Sequence, residues 1–345
     1  MKQMIYAYLG PQGTYSHEAA IYARDTAEGR LTQTRTASCA SSAIYARDTA
    51  EGRLTQTKTT SCASSAIYAR DTAEGHGEGL LVECSSISEV FELVERGKAD
   101  FGVVPIENAL EGSVNETLDA FVFNSKAYIT REFVMSIHHN LIAACGTEPS
   151  SIRTVLSHPQ ALGQCRRWLG KHMPQAATLA TTSTAAAVEQ VIGCCKGSSG
   201  TINTGSCAAI GTKLAAELFG AAVLEEEIED HVGNKTCFVV LGNRPSARTG
   251  CDKTSLALFM HEDRPGTLLM ILAELSYAGL NLTKIQSRPT KKALGDYMFW
   301  IDVEGHVDDM NLKTALDSLR LKLREVKVLG SYPMAMGLEA EDSDG

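Results

Sequence analysis

The stretch Asn234-Lys235-Thr236-Cys237-Phe238-Val239-Val240-Leu241-Gly242 joins a short polar segment to an apolar, β-branched run that ends at glycine. Such a run predicts a strand buried in a sheet. A threonine hydroxyl at the lip of a strand can donate a hydrogen bond into a cleft while the apolar residues after it anchor the strand. The stretch therefore predicts a buried strand that carries Thr236 to the edge of a ligand-binding cleft.

Strand and helix signals alternate through the chain before this stretch. Apolar runs at Leu80–Glu83, Asp100–Ile106 and Thr154–Leu156 predict strands, and we expect Pro105 to stop the second of them. Periodic segments between them, such as Val90–Gly97, predict helices. The alternation indicates an α/β fold, in which the polar loops that follow strands bind ligands.

The pattern changes from Ser255 onward. Strand and helix signals there follow the order β-α-β-β-α-β, which predicts a ferredoxin-like domain. A segment with Pro, Gly and charged residues, Asn243–Lys253, predicts a linker. We expect one domain over residues 1–243, a second over residues 253–333 and a tail over residues 334–345.

A tandem duplication lies near the start of the chain. Residues 20–42 recur as residues 43–65, and a third, shorter copy begins at Ala66. Repeats of this period usually indicate a solenoid, but these copies carry too few large apolar side chains to stack a continuous core. We interpret residues 20–65 as a duplicated insert that is partly helical and lies outside any ligand cleft.

Composition excludes several classes of function. The chain has 345 residues and a formal net charge of −9, which argues against a nucleic-acid partner. No apolar run approaches the ~18 residues that a membrane span needs, and the first strand leads into Gly10-Pro11-Gln12-Gly13 rather than a cleavage site for a signal peptide. Ten cysteines without framework spacing or a CxxC pair argue for reduced thiols and against structural zinc. We expect a cytoplasmic protein with no membrane partner and no metal.

Five short motifs stand in one order along the chain. They are Gly10-Pro11-Gln12-Gly13-Thr14-Tyr15-Ser16; Val104-Pro105-Ile106-Glu107-Asn108 with residues 112–119; Ser157-His158-Pro159-Gln160-Ala161-Leu162 with Gln164-Cys165; Ser183-Thr184-Ala185; and Asn234-Lys235-Thr236 with Phe238. In this order they resemble the motifs of the prephenate dehydratase family, and the order is more specific than any one motif. The resemblance covers nearly the whole chain except the insert and the tail, and the C-terminal unit resembles an ACT regulatory domain through Pro265-Gly266 and Ser287-Arg288-Pro289.

The resemblance implies a fold and a reaction. The implied fold is a two-lobed catalytic region, similar in plan to periplasmic binding proteins, followed by the ferredoxin-like ACT domain. The implied lobes are residues 1–106 with 205–243, and residues 107–204. The implied reaction is decarboxylative dehydration of prephenate to phenylpyruvate in phenylalanine biosynthesis, with L-phenylalanine as effector, no cofactor, and a homodimer or homotetramer as the assembly.

The resemblance also implies roles for individual residues. Thr236 would donate a hydrogen bond to the leaving hydroxyl, and Phe238 would pack behind it. The implied substrate-binding residues are Thr14, Asn108, Ser113, Ser157, Gln160 and Cys237. The implied effector-binding residues are Pro265, Gly266, Thr267, Leu268, Asn281, Ser287, Arg288 and Pro289.

Residue types alone leave simpler roles open for several of these side chains. Thr14 and Ser113 are also common as helix N-caps, and Asn108 is common in turns. Arg288 is compatible with a solvated charge at a strand end. Glu107 is compatible with an ion pair to a neighbouring cation.

Three positions depart from the family pattern. Cys237 stands where the family has an arginine, and a cysteine cannot hold a carboxylate as a guanidinium fork does. Ala109 stands in place of a serine, and Gln286 in place of a glutamate. From the sequence, we expect the change at residue 237 to weaken catalysis, and Cys237→Arg to raise catalytic efficiency if the rest of the site is intact. The residue type alone also leaves open a buried small side chain at this position.

Two other functions stay open. Dehydration of arogenate, whose side chain carries an amino group, would be favoured by an extra carboxylate near the pocket, and the sequence does not locate one. A catalytically weakened, phenylalanine-binding regulatory protein is compatible with the two-lobed plan and with the missing arginine.

Overall fold

The computed structural model describes residues 3–27, 79–195, 207–262, 264–291 and 296–335. The first copy of the duplicated sequence begins inside the first helix, at residues 20–27. Residues 28–65 of the predicted insert and residues 336–345 of the predicted tail lie outside the described residues.

Strands and helices alternate in the described part of the chain, as the sequence predicts. In chain order the strands are β1 (Ile5–Leu9), β2 (Leu80–Cys84), β3 (Phe101–Asn108), β4 (Gly112–Ser113), β5 (Tyr128–Ser136), β6 (Asn140–Ala143), β7 (Thr154–Ser157), β8 (Ala177–Ala180), β9 (Cys207–Gly211), β10 (Ala222–Glu225), β11 (Lys235–Gly242), β12 (Asp252–Phe259), β13 (Leu282–Pro289), β14 (Tyr297–Glu304) and β15 (Glu325–Pro333). The helices are α1 (Tyr15–Ala27), α2 (Ile87–Glu95), α3 (Asn115–Asp119), α4 (Pro159–Gln164), α5 (Arg166–His172), α6 (Thr184–Cys195), α7 (Lys213–Phe219), α8 (Thr267–Tyr277) and α9 (Met310–Lys322). Among these described helices, none has both the length and the apolar character that a bilayer crossing requires.

Two sheets form two lobes, and the chain crosses between them twice. The first sheet has the order β2-β1-β3-β11-β5, with β4 paired to β3, and the second has the order β10-β6-β9-β7-β8. The crossings run from β5 to β6 and from β10 back to β11. This arrangement confirms the predicted two-lobed α/β fold.

The limits predicted for the lobes differ from those that strand pairing sets. β5 pairs with β11 and so extends the first lobe to Ser136, whereas β9 and β10 belong to the second sheet. β11 is apolar and buried through most of its length, so it needs a hydrogen-bonding partner on each side. β3 and β5 are those partners, and local sequence does not reveal which distant strand completes a sheet.

Pro105 does not stop β3, contrary to the expectation from the sequence. The strand continues to Asn108, and the register between β3 and β11 shifts beside Pro105, which lies opposite Phe238. Such a bulge accommodates a residue that has no N–H to donate. Beyond it, Asn108 and Thr236 are direct partners at the ends of the two strands.

The C-terminal domain has the predicted β-α-β-β-α-β order and the sheet order β13-β14-β12-β15. It docks on the first lobe, where its apolar residues join one continuous core with those of the lobe. Phe121 and Trp300 meet there edge to face, with ring centroids 6.2 Å apart. The backbones approach so closely that a Cβ at Gly330 would lie 2.3 Å from the carbonyl oxygen of Ile129. We call this contact between the domains the seam.

Candidate active site

A cleft of about 500 Å³ lies between the two lobes. The first lobe contributes the ends of β1, β3 and β11, and the second contributes the N-terminal ends of α4 and α6. Hydroxyl and amide side chains predominate on its walls. Among the described residues that line it there is no lysine or arginine, and Glu111 is the lining carboxylate.

Thr236 and Phe238 both line the cleft, where the sequence argument expects them. They lie on β11, the strand between β3 and β5. Phe238 is buried and stacks on Phe133, with ring centroids 5.8 Å apart. The aromatic pair packs on the strand behind Thr236, a residue that is 7% exposed.

Cys237 does not line the cleft, which corrects its assignment to substrate binding. Side chains alternate between the faces of a strand, so the residue between Thr236 and Phe238 points to the other face. There Cys237 packs against the core of the seam. Burial, followed by the charge of Glu132, raises the pKa of its thiol to about 12, so the thiol stays protonated.

Asn108 connects the ends of β3 and β11 through its side-chain amide. Its Nδ2 lies 2.8 Å from Thr236 Oγ1 and 2.9 Å from Asn234 Oδ1. Its Oδ1 accepts the backbone N–H groups of Leu110 and Glu111 at 2.9 and 3.0 Å. Asn108 is therefore both a turn residue and a direct partner of Thr236.

A polar network that the sequence argument missed continues from Asn234 into the second lobe. Asn234 Nδ2 lies 3.2 Å from Gln164 Oε1, which also contacts His139 Nε2 at 2.7 Å. The other ring nitrogen, Nδ1 of His139, lies 2.8 Å from the phenol of Tyr15. Gln164, Asn234 and Tyr15 belong to the quoted motifs, but His139 follows β5 without any motif to mark it.

Burial sets the protonation states at the far end of this network. Burial is the largest cause that lowers the pKa of His139, so the ring is neutral near pH 7. Burial likewise raises the pKa of Tyr15 well above its usual value, so the phenol keeps its proton.

Of the two substrate-binding residues predicted on the second lobe, one lines the cleft and the other does not. Gln160 lines the cleft. Ser157 is fully buried, and its hydroxyl donates to the carbonyl oxygen of Ile210 at 2.8 Å. Ser157 therefore ties β7 to β9 and does not face the cleft, which corrects its assignment to substrate binding.

The two remaining substrate-site candidates, Thr14 and Ser113, both line the cleft. Thr14 Oγ1 accepts the backbone N–H of His17 at 3.4 Å, so Thr14 also caps α1. Ser113 donates from Oγ to Oε1 of Gln286, 3.1 Å away on β13. The predicted effector strand thus contacts a side chain of the cleft wall.

A glycine next to Thr14 allows the two lobes to approach. Gly13 has a φ of +82°, and a Cβ there would lie 3.0 Å from the Cβ of Ala215. Thr212, at the start of α7, donates to the carbonyl oxygen of Gly13 at 2.7 Å. A side chain at position 13 would therefore both strain the backbone and separate the lobes.

The predicted effector residues lie at two places in the ACT domain. Gly266 has a φ of +88° and precedes α8, and Thr267 Oγ1 donates to the carbonyl of Arg264 at 2.9 Å. Asn281 donates to Glu304 at 2.8 Å just before β13. The exposed members of the set are Pro265, Gly266, Leu268, Asn281, Ser287 and Pro289.

Arg288 faces the seam and is buried, so it is not a solvated strand-end charge. Its guanidinium forms an ion pair with Asp119 and a hydrogen bond of 2.7 Å to Asn115 Oδ1. Nearby, Lys284 pairs with Glu107 at 2.5 Å, which confirms the ion-pair interpretation of Glu107. The inward side of β13 is thus held on the first lobe by charged contacts.

Metal binding has no candidate site in the part of the chain that the structure describes. No group of three or more His, Cys, Asp or Glu side chains there could hold an ion.

Comparison with known proteins assigns the two domains separately. A model of the prephenate dehydratase family matches residues 59–246, and a model of the ACT domain matches residues 254–321. A bifunctional chorismate mutase/prephenate dehydratase of Neisseria gonorrhoeae is 40% identical over 253 residues, which are 73% of this chain and 67% of that protein. The chain thus spans about two thirds of the length of such bifunctional relatives.

Two further matches cover most of the matched protein. A prephenate dehydratase of Methanocaldococcus jannaschii is 40% identical over 253 residues, which are 73% of this chain and 87% of that protein. A solved structure of a prephenate dehydratase from Arthrobacter aurescens, in complex with L-Phe, is 30% identical with a TM-score of 0.73. That match covers 96% of this chain and 90% of the other.

Proposed function

The chain belongs to the prephenate dehydratase family, and we propose that it converts prephenate to phenylpyruvate, carbon dioxide and water. The observation that carries the proposal is the position of Thr236. Its hydroxyl lies on the wall of a cleft in which hydroxyl and amide side chains predominate, at the end of a strand paired on both sides.

The reaction makes three demands on such a cleft. The ring carboxylate leaves as carbon dioxide, its bonding electrons move through the cyclohexadiene, and the C–O bond to the para hydroxyl breaks. The departing hydroxide takes up a proton supplied by solvent and leaves as water, and the ring becomes aromatic. The protein must therefore orient a diacid, desolvate the carboxylate that leaves, and donate a hydrogen bond to the departing oxygen.

Two helix N-termini supply positive potential for the carboxylates. α1 begins at Tyr15 and α6 at Thr184, and both first turns line the cleft. The first N–H groups of a helix have no acceptor within it and attract anions. Such neutral donors orient a carboxylate without the strong ion pair that would stabilise it against leaving.

Thr236 is best suited to polarise the leaving group. An ordinary threonine hydroxyl is too weak an acid to serve as a free proton source. As a fixed donor it stabilises negative charge as it develops on the departing oxygen. This kind of stabilisation typically contributes about 10²–10³-fold in rate for each donor.

The ACT domain supports regulation by L-phenylalanine, which we include in the proposal. A similar solved structure holds L-Phe, and the predicted effector strand β13 contacts the cleft wall through Gln286 and Ser113. α8 exposes Leu269 and Tyr277, at 70% and 89%, which supports pairing of ACT domains in a homodimer or homotetramer. We expect the enzyme to act in the cytoplasm.

The deciding experiment is an assay of purified full-length protein for phenylpyruvate from prephenate, with and without L-phenylalanine. We expect turnover without a cofactor and inhibition by L-phenylalanine. Turnover without inhibition would remove the regulatory part of the proposal. Binding of L-phenylalanine without turnover would replace the enzyme with a phenylalanine-binding regulatory protein.

One observation favours arogenate as a second candidate substrate. Glu111 lines the cleft, and its Oε1 lies 3.3 Å from Gln164 Nε2, so a carboxylate is part of the cleft wall. It would attract the amino group that arogenate has and prephenate lacks, and this attraction would offset for arogenate alone the repulsion of the carboxylates that both substrates carry. We expect Glu111→Gln to lower kcat/KM for arogenate and raise it for prephenate. Equal effects on the two substrates would remove Glu111 from substrate selection.

A further inference from the structure

We propose that Asn108 is a positioning residue that forces the Thr236 hydroxyl to donate into the cleft, and that a chain of polar side chains ending at His139 holds Asn108 in that role. The inference rests on the proposed function, because a donor matters only if a hydroxyl leaves there. It assigns a task to His139 and Tyr15, which the reaction itself does not require.

Two backbone N–H groups fix which atoms donate and which accept along this series of hydrogen bonds. The N–H groups of Leu110 and Glu111 can only donate, and both point at the same side-chain atom of Asn108. That atom must be the amide oxygen, since an amide nitrogen cannot accept. The other atom of the Asn108 amide is therefore the NH2 group.

Each neighbour then has a single compatible orientation. The Asn108 NH2 donates to Thr236 Oγ1 and to Asn234 at 2.8 and 2.9 Å, with the carbonyl oxygen of Lys235 farther away at 3.3 Å, so the Asn234 atom it meets is the oxygen. The Asn234 NH2 consequently faces Gln164 at 3.2 Å, and the Gln164 atom it meets is again the oxygen. The Gln164 NH2 is left to donate to Glu111, 3.3 Å away.

The series of hydrogen bonds ends at His139 and determines which of its ring nitrogens carries the proton. His139 Nε2 lies 2.7 Å from the oxygen of Gln164, so Nε2 must carry a proton. In the neutral ring, Nδ1 is then an acceptor, and Tyr15 supplies its phenolic proton at 2.8 Å. The same phenol lies 2.7 Å from the carbonyl of His138, so its proton lies between the two acceptors.

The consequence for Thr236 follows from counting protons. Thr236 Oγ1 already accepts from Asn108, and no other hydrogen-bond partner of this oxygen exists among the residues that the structure describes. Its own proton is free to point into the cleft. Asn108 and Asn234 come from the first lobe and Gln164 from the second. These hydrogen bonds therefore also link closure of the lobes to the orientation of Thr236.

A double-mutant cycle tests the proposal, because a structural role would not couple specifically to Thr236. The variants are Asn108→Asp, Thr236→Val and the pair. Asn108→Asp keeps the acceptor for the two backbone N–H groups but offers a carboxylate oxygen to Thr236, whose proton then turns away from the substrate. We expect each single change to lower kcat by about 10²–10³-fold with little change in KM, and the pair to lose no more than the worse single variant. Losses that multiply, or full activity in Asn108→Asp, would overturn the inference.

A matched control and a second variant make the test robust to misfolding. Asn124→Asp adds the same charge at an exposed site, and we expect it to leave kcat unchanged. If Asn108→Asp does not fold, His139→Leu removes the far donor instead. We expect it to lower kcat roughly tenfold, as loss of one hydrogen bond does, and to have no effect in the Thr236→Val background. Equal effects of His139→Leu with and without Thr236 would overturn the inference.

The inference and the proposed function can fail separately. Absence of phenylpyruvate from the unaltered protein would overturn both. Turnover by the unaltered protein with independent effects of Asn108 and Thr236 would overturn the inference alone.

Discussion

The cleft and the seam lie on opposite faces of the same strand and differ in their contacts. Neutral hydrogen-bonding side chains predominate in the cleft, whereas ion pairs hold the seam. On one face of β11, Thr236 and Phe238 meet a cleft whose described walls carry no lysine or arginine. On the other face, Cys237 lies among the charged side chains of Glu132, Lys253, Glu107 and Lys284. The inward side of β13 adds the ion pair between Arg288 and Asp119.

The difference shows which contacts have to persist through the reaction and which must change. A buried ion pair fixes two elements in one geometry, and removing either partner is costly. That suits the seam, where the ACT domain must keep its register on the first lobe. In the cleft, an equally strong pair to the leaving carboxylate would oppose decarboxylation, so neutral donors suit the reaction better.

Among the substitutions that test this comparison, we expect Lys253→Met to have the largest effect. Lys253 pairs with Glu132 at 2.6 Å, and both side chains are largely buried in the seam. Burial opposes the charge of Lys253, but Glu132 and Asp302 outweigh it and hold the pKa of the amine above its usual value. Removing the cation leaves a buried carboxylate, so we expect the free energy of unfolding to fall by about 3–5 kcal/mol, measured by denaturant titration.

An exposed ion pair supplies the control for that prediction. Lys213 pairs with Glu226 at 2.8 Å, with 35% and 54% of the side chains exposed. We expect Lys213→Met to change stability by only about 0–1 kcal/mol. A similar loss in both variants would mean that the seam is no more dependent on its charges than the surface.

The next effect concerns how L-phenylalanine, bound by the ACT domain, would inhibit the reaction in the cleft. Ser113 Oγ and Gln286 Oε1 form a direct hydrogen bond between cleft wall and effector strand. We expect Gln286→Leu to leave kcat without effector nearly unchanged and to raise the L-phenylalanine concentration for half inhibition roughly tenfold, from loss of one hydrogen bond. Inhibition curves and calorimetric binding of L-phenylalanine measure the two parts separately. Unchanged inhibition would show that the signal bypasses this contact.

A smaller effect is expected at Ser157, where a substitution tests whether the hydroxyl stabilises the fold or binds substrate. Its hydrogen bond to Ile210 is fully buried and joins two strands of the second sheet. We expect Ser157→Ala to lower the free energy of unfolding by about 1 kcal/mol and to leave KM for prephenate unchanged. A selective rise in KM without a loss of stability would return Ser157 to the substrate site.

The sequence predicts the elements of this molecule better than their partners. The ferredoxin-like order and the strand that carries Thr236 follow from local periodicity, and the structure confirms both. Whether Ser157 faces ligand or protein depends on β9, which lies far along the chain. His139 gave no signal because its task depends on Tyr15 and Gln164, which are adjacent only after the lobes have folded.

The smallest effect is expected at residue 237, where the sequence argument predicted a gain. A motif of adjacent residues suggests one shared site, but alternation along β11 places Cys237 in the seam and its neighbours in the cleft. An arginine introduced there would extend among Lys253, Lys284 and two glutamates, with no path to the bound carboxylates. We expect Cys237→Ser to keep kcat/KM for prephenate within about twofold, since no contact with substrate is lost, and Cys237→Arg to give no increase. An increase of tenfold or more in Cys237→Arg would show that a guanidinium at this position reaches the substrate, and the division between the two faces of the strand would fail.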